Sequence, residues 1–227
     1  MQKQKYLAIG NSISHGMGQH NTIETFPYLL AQANHWDLQN LAVGGSSTSL
    51  TIANMVKEEI PEVHHITMMY GYNDFYYKEY TIDEFKSLYL GVIQTIREKH
   101  LNTKIYAISA IVSKNSTSKS GKAYLPDFQT AVDTLVDSLI LAGDQNLFLI
   151  KGREITRLED LSDGIHLSKE GAQAFADSLI LRVKEIQETQ TTSLWHKFLK
   201  GATGLGSDYK IFDAQGKEVV IPYREND

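Results

Sequence analysis

Residues 6–18 read YLAIGNSISHGMG. Tyr6-Leu7-Ala8-Ile9 is a short, mostly apolar run that stops at Gly10-Asn11-Ser12, and small or polar residues follow. Such a run, bounded by turn residues, has the character of a buried strand. Two readings of Ser12 then stand side by side. It is a turn or helix-cap serine, or it is a nucleophile presented at the carboxyl end of a strand. The rest of the chain has to decide.

The same pattern recurs at Leu38–Val43, His65–Tyr70, Lys104–Ile111 and Asn146–Ile150. Segments of helical spacing separate these runs. They are Thr25–Asn34 (with Pro27 in its first turn), Ile52–Ile60, Ile82–Lys99, Asp127–Ala142 and Lys169–Gln187, the last opening after Ser168 as N-cap. In the third, Phe85, Leu88, Tyr89, Val92, Ile93 and Ile96 recur at three- and four-residue steps, which places them on one face. Strand alternating with helix specifies an α/β fold: a five-stranded parallel sheet with right-handed crossovers and helices on both faces. The style changes near residue 189. Residues 1–188 read as the main domain and 189–227 as an extension. The extension comprises a short amphipathic helix around Leu194–Leu199, a glycine-rich joint at Gly201–Gly206, and a hairpin from Tyr209–Phe212 to Val219–Tyr223. It would pack on the main domain or on a second copy, giving a homodimer.

Composition limits the partners. With 227 residues the chain can bury a full core, and 42% hydrophobic with 22% charged residues is ordinary for a globular domain. A net charge of −5 disfavours nucleic acid and anionic membrane surfaces. There are no cysteines, so disulfides, thiolate metal sites and cysteine nucleophiles are excluded. No stretch reaches the roughly 18 apolar residues of a membrane span, and the N-terminus lacks a signal-like apolar region. The expectation is a cytoplasmic protein, or a secreted one lacking its leader.

In open parallel sheets, ligands bind beyond the carboxyl ends of the strands. There the chain places Gly10-Asn11-Ser12, Gly44-Gly45-Ser46-Ser47, Gly71-Tyr72-Asn73-Asp74, the polar loop Ser113–Tyr124, and Asp163-Gly164-Ile165-His166. A serine hydroxyl needs a base, which a histidine supplies near neutral pH, and a carboxylate on the far ring nitrogen fixes the tautomer. Backbone amides at Ser12 and Gly44-Gly45, with the Asn73 carboxamide, could hold an oxyanion. These are the parts of an acyl-transfer site. No GxGxxG or GxxxxGK[ST] pattern supports a nucleotide loop, and His15, His20, His64 and His65 read as surface or structural rather than as metal ligands. The tyrosine-rich stretch around Asn73 reads equally as core packing or as a wall for substrate.

Taken together, GNS at 10–12, NLAVGG at 40–45, GYND at 71–74 and DGIHLSKEG at 163–171 resemble, in order and spacing, the four signature blocks of the SGNH hydrolases, the GDSL esterase/lipase family. The resemblance implies a flavodoxin-like three-layer α/β/α fold and a cofactor-free, metal-free serine esterase. It implies Ser12 as nucleophile, His166 as base and Asp163 as its orienter. Gly45, five residues beyond Asn40, and Asn73 join the Ser12 amide in the oxyanion hole. Asn11, Gly44, Tyr72, Phe75 and Tyr76 are the expected substrate contacts. Asn11 departs from the family's aspartate, and Ile13 from its leucine. The implied substrate is a small ester, an O-acetylated carbohydrate or short-chain acyl ester. Acyl transfer to a sugar hydroxyl, lipid or thioester hydrolysis, and a non-catalytic ligand-binding module remain as alternatives.

Overall fold

The structure is a computed structural model that describes residues 3–202. Five strands form one parallel sheet: β1 Lys5–Gly10, β2 Asp37–Asn40, β3 His65–Met69, β4 Lys104–Ser109 and β5 Leu147–Lys151. Their order is β2-β1-β3-β4-β5, the flavodoxin-like arrangement. The register pairs Tyr6 with His65 and Gly10 with Met69, so β1 and β3 end level with one another. The helices are α1 Ser12–His15, α2 Phe26–Asn34, α3 Leu50–Glu59, α4 Ile82–Arg97, α5 Leu125–Leu141 and α6 Lys169–Ala202.

The two-residue period of the strands sorts their side chains into two cores. Leu7, Ile9, Ile66, Met68, Ile105 and Ala107 face a cluster that includes Val56 of α3, Phe85 to Ile96 of α4, and Phe128 to Val136 of α5. Buried Phe85, Val92, Ile93 and Ile96 each contribute about 1.5–3 kcal/mol. Tyr6, Thr67 and Tyr106 alternate onto the other face. There the Tyr6 and Trp36 rings meet edge to face at 5.4 Å, and Tyr6 Oη lies 2.7 Å from Thr67 Oγ1. Phe26 of α2 meets Phe175 of α6 at 5.0 Å. Local signals agree with the packing. Thr81 and Glu84 form a reciprocal capping box on α4, and Ser168 Oγ accepts the Gly171 N–H at the start of α6.

Several expectations are revised. Strand β2 ends at Asn40, not Val43. Residues 41–43 leave the regular ladder while Leu41 and Val43 still donate to the Ala8 and Gly10 carbonyls. Ser12 opens a one-turn helix that a four-residue pattern cannot announce, since it holds little more than one period. Residues 169–202 form one continuous helix where two were expected. The expected joint at Gly201–Gly206 extends beyond the described residues, and the hairpin at 209–223 lies wholly outside them. By contacts the chain divides into Met1–Lys184, which contains the sheet, and Glu185–Asp227, whose described part continues α6.

Candidate active site

Strand β1 delivers Ser12 directly. Asn11 is the N-cap of α1, and its Oδ1 accepts the Ile13 N–H at 3.1 Å. At 2% exposure, with that oxygen committed to the cap, Asn11 holds the turn. The cap needs only a side-chain oxygen, which asparagine and aspartate both provide. Ser12 is 7% exposed, and its Oγ lies 2.9 Å from His166 Nε2.

His166 comes from the turn between β5 and α6, together with its partner. Its Nδ1 lies 2.7 Å from Asp163 Oδ2, while Asp163 Oδ1 accepts the N–H groups of Ile165 and His166 at 2.9 and 2.8 Å. Burial opposes ionisation of Asp163, but the His166 ring and the two amides outweigh it and hold the carboxyl down to about 2. The carboxylate is therefore charged at neutral pH and favours the tautomer with a proton on Nδ1. That leaves Nε2 to accept from the Ser12 hydroxyl. Ser162 N–H and Oγ–H both donate to the His166 carbonyl, and Leu161 bridges Leu167, so the turn is braced from behind.

The oxyanion candidates come from the loops after β2 and β3. Val43 to Ser46 is a tight turn closed by Ser46 N–H to Val43 O at 3.0 Å, with Gly45 at φ +79° in its third position. That position of a type II turn requires a left-handed backbone, which assigns Gly45 rather than Gly44 as the residue needing to be glycine. Gly44 instead lies against Met17, whose Sδ would be 3.7 Å from a side chain there. Among the described residues, no acceptor takes the Ser12 or Gly45 N–H. Asn73 Nδ2 donates to Ser46 O at 2.8 Å, which orients the carboxamide and leaves its second hydrogen uncommitted.

Asp74, which the sequence marked only as part of a turn, binds these loops together. It is fully buried; Oδ1 accepts Thr48 N–H at 2.9 Å and Oδ2 accepts Gly71 N–H at 3.0 Å. Burial raises its pKa above the usual carboxylate range, and these hydrogen bonds only partly offset that.

The expected aromatic wall divides. Phe75 is wholly buried, between the Tyr72 and Phe128 rings at 5.4 and 6.0 Å, and belongs to the core. Tyr72 is 5% exposed, and its Oη accepts from Asn115 Nδ2 at 3.0 Å. Tyr76 stacks on Tyr72 at 5.6 Å and remains half-buried at the surface. The 113–124 loop is tied down: Lys114 N–H donates to Gly164 O at 2.8 Å, and Lys119 N–H to Tyr76 O at 3.2 Å. Among the described residues there is no cluster of groups suited to hold a metal ion, and no helix is long and apolar enough to cross a membrane.

Serine, histidine and aspartate in one hydrogen-bonded line, beside a glycine turn and an asparagine, match the blocks seen in the sequence. The model of the GDSL-like lipase/acylhydrolase family matches residues 8–174. The chain belongs to this family. The family match spans all four blocks. No curated protein matches the chain. Solved structures share the fold. Salicylyl-acyltransferase SsfX3 from a tetracycline biosynthetic pathway is 24% identical with a TM-score of 0.66, over 78% of this chain and 53% of that one. A family two carbohydrate esterase from Clostridium thermocellum, in complex with cellohexaose, is 16% identical with a TM-score of 0.66, over 80% and 64%. A carbohydrate acetylesterase family member from Sinorhizobium meliloti is 17% identical with a TM-score of 0.60, over 81% and 99%. The chain thus spans about half the length of the acyltransferase.

Proposed function

We propose that this SGNH esterase works through an acyl-enzyme on Ser12 and acts on small O-acyl esters, O-acetylated carbohydrates first among them. The observation carrying the proposal is the unbroken line Ser12 Oγ, His166 Nε2, His166 Nδ1, Asp163 Oδ2, with links of 2.9 and 2.7 Å. Ser12 Oγ attacks the ester carbonyl as His166 Nε2 takes its proton, and Asp163 stabilises the imidazolium that forms. The carbonyl oxygen becomes an oxyanion beside the Ser12 and Gly45 amides and the free N–H of Asn73, each such donor being worth about 10²–10³ in turnover. His166 returns the proton to the departing alkoxide. Water then repeats the sequence on the acyl-serine and frees the acid.

The carbohydrate preference is supported by the polar rim of Tyr72, Asn115 and Ser113 and by the shared fold with carbohydrate esterases. The test is to treat the protein with a serine-directed sulfonyl fluoride and assay p-nitrophenyl esters of rising chain length beside acetylated sugars. Expected are labelling at Ser12, a preference for acetyl, and turnover abolished in Ser12→Ala. No labelling together with no hydrolysis would overturn the proposal.

A further inference from the structure

We infer that Lys114 selects for an alcohol carrying an anionic group, a carboxylate or a phosphate, on the leaving side of the ester. The inference rests on the esterase reading, because it starts from where that chemistry puts the alcohol. The proton taken from Ser12 must be returned to the leaving oxygen by His166 Nε2, so the alcohol departs beside the turn that carries His166. On that turn the residue between Asp163 and Ile165 is Gly164, at φ +86°, and Lys114 lies across it. A side chain at Gly164 would collide with the Lys114 stem, 2.8 Å from Cγ and 3.1 Å from Cβ and closer still to Cδ. The lysine stem thus occupies the space a side chain at Gly164 would fill.

The segment is anchored at both ends of the site. Lys114 N–H and Ser113 Oγ–H donate to Gly164 O at 2.8 and 3.3 Å, while Asn115 Nδ2 donates to the hydroxyl of Tyr72, the neighbour of Asn73. Residues 113–115 therefore run as a strap from the histidine turn to the asparagine loop, with the lysine at the histidine end. The charge is uncompensated. Among the described residues no carboxylate lies within 4 Å of the Lys114 ammonium, and Asp163, the carboxylate next to Gly164 in the chain, is bonded to His166. Within a chain of net charge −5, the loop 113–124 has three lysines and no acidic residue. Of the other two lysines, Lys122 lies near Glu79 and Lys119 is exposed farther along the loop. Lys114 is exposed, its stem lies against the histidine turn, and a cation carried there and paired with no protein anion complements an acidic alcohol.

The test compares 4-acetoxybenzoate with 4-acetoxybenzamide, which share the acyl group and ring and differ in one charge. 4-Acetoxyphenyl phosphate is a third arm that separates phosphate from carboxylate recognition. In Lys114→Gln the ratio of kcat/KM for the charged ester over the amide should fall about three- to five-fold, the size of one partly exposed ion pair, and mainly through KM. Lys114→Glu should lower it further, Lys114→Arg should keep it, and 0.5 M salt should compress the wild-type ratio. Lys119→Gln controls for the diffuse field of the loop. An unchanged ratio in Lys114→Gln, or an equal change in Lys119→Gln, would overturn the inference. Hydrolysis of the amide that Ser12→Ala abolishes would leave the esterase reading standing in either case. If wild type cleaves none of the three and Ser12 is not labelled, both fall.

Discussion

Asp74→Asn tests whether the oxyanion donors are held in place by a buried carboxylate. The wild-type side chain accepts from two backbone amides, Thr48 and Gly71, at 2.9 and 3.0 Å with no exposure to water. Asparagine keeps one acceptor and turns an NH₂ toward the other amide. One buried N–H then loses its partner, at about 1–3 kcal/mol. Removing the charge relieves the desolvation that raises the Asp74 pKa, so the net loss of stability should be nearer 1–2 kcal/mol. Thr48 lies two residues from Ser46, whose carbonyl orients Asn73, and Gly71 lies two residues before Asn73 itself. Slack at either anchor misplaces a donor, and misplacement by about 1 Å can cost 10²-fold. We expect kcat to fall about 10–100-fold with KM within about three-fold, measured on p-nitrophenyl acetate alongside a thermal melt. The sign of the pH effect follows from the raised pKa. The native state binds this proton more tightly than the unfolded chain, so Asp74 contributes most below the unfolded carboxylate range. Its contribution declines as pH rises through the folded pKa, and Asp74→Asn should erase that dependence. An unchanged kcat in a variant with an unchanged melt would refute the clamp.

Other outcomes are as specific. Ser12→Ala and His166→Ala should each lose about 10⁴–10⁶ in kcat, with the double variant no worse than either, since the members act as a unit; a single-turnover assay checks this. Asp163→Asn should lose about 10–100-fold less than Ser12→Ala in the same assay. Because Asp163 is held down to about 2, its contribution is complete above the unfolded carboxylate range and fades only as pH falls through the folded value. Asn73→Ala should lower kcat about 10²–10³-fold with little change in KM. Phe75→Ala should cost about 3–5 kcal/mol in chemical denaturation, as expected of a core position.

The sheet was readable in the sequence because most of its strands are short apolar runs that end in turn residues, and α4 carries a regular apolar stripe that is buried in the fold. The candidate site was readable because its residues lie within short blocks at strand ends. What escaped notice depends on distance through space. Asn11 invited a substrate role because its neighbour is the proposed nucleophile, and only the Ile13 amide shows where its oxygen is used. Phe75 and Tyr76 are adjacent in a tyrosine-rich run with no alternation to separate them, because Asp74–Lys78 coils as a π-turn that obeys neither the strand nor the α-helical period. Asp74 looked like an ordinary turn residue, since its partner Thr48 lies 26 positions away. Lys114 meets Gly164 across a longer gap still, from a loop that the sequence placed at the ligand end of the sheet without singling out any one residue.

Asp163 and His166 share one turn, so base and orienter can come together as soon as that short segment folds. Ser12 lies 154 residues from His166. Closing that contact brings the first strand to the turn that precedes the last helix, one of the longest loop closures this chain makes. The proposed ester turnover would therefore be a built-in reporter of completed folding. During refolding, activity should not precede the burial of α6, and any persistent intermediate lacking either end of the domain should be inert however much of the sheet it contains.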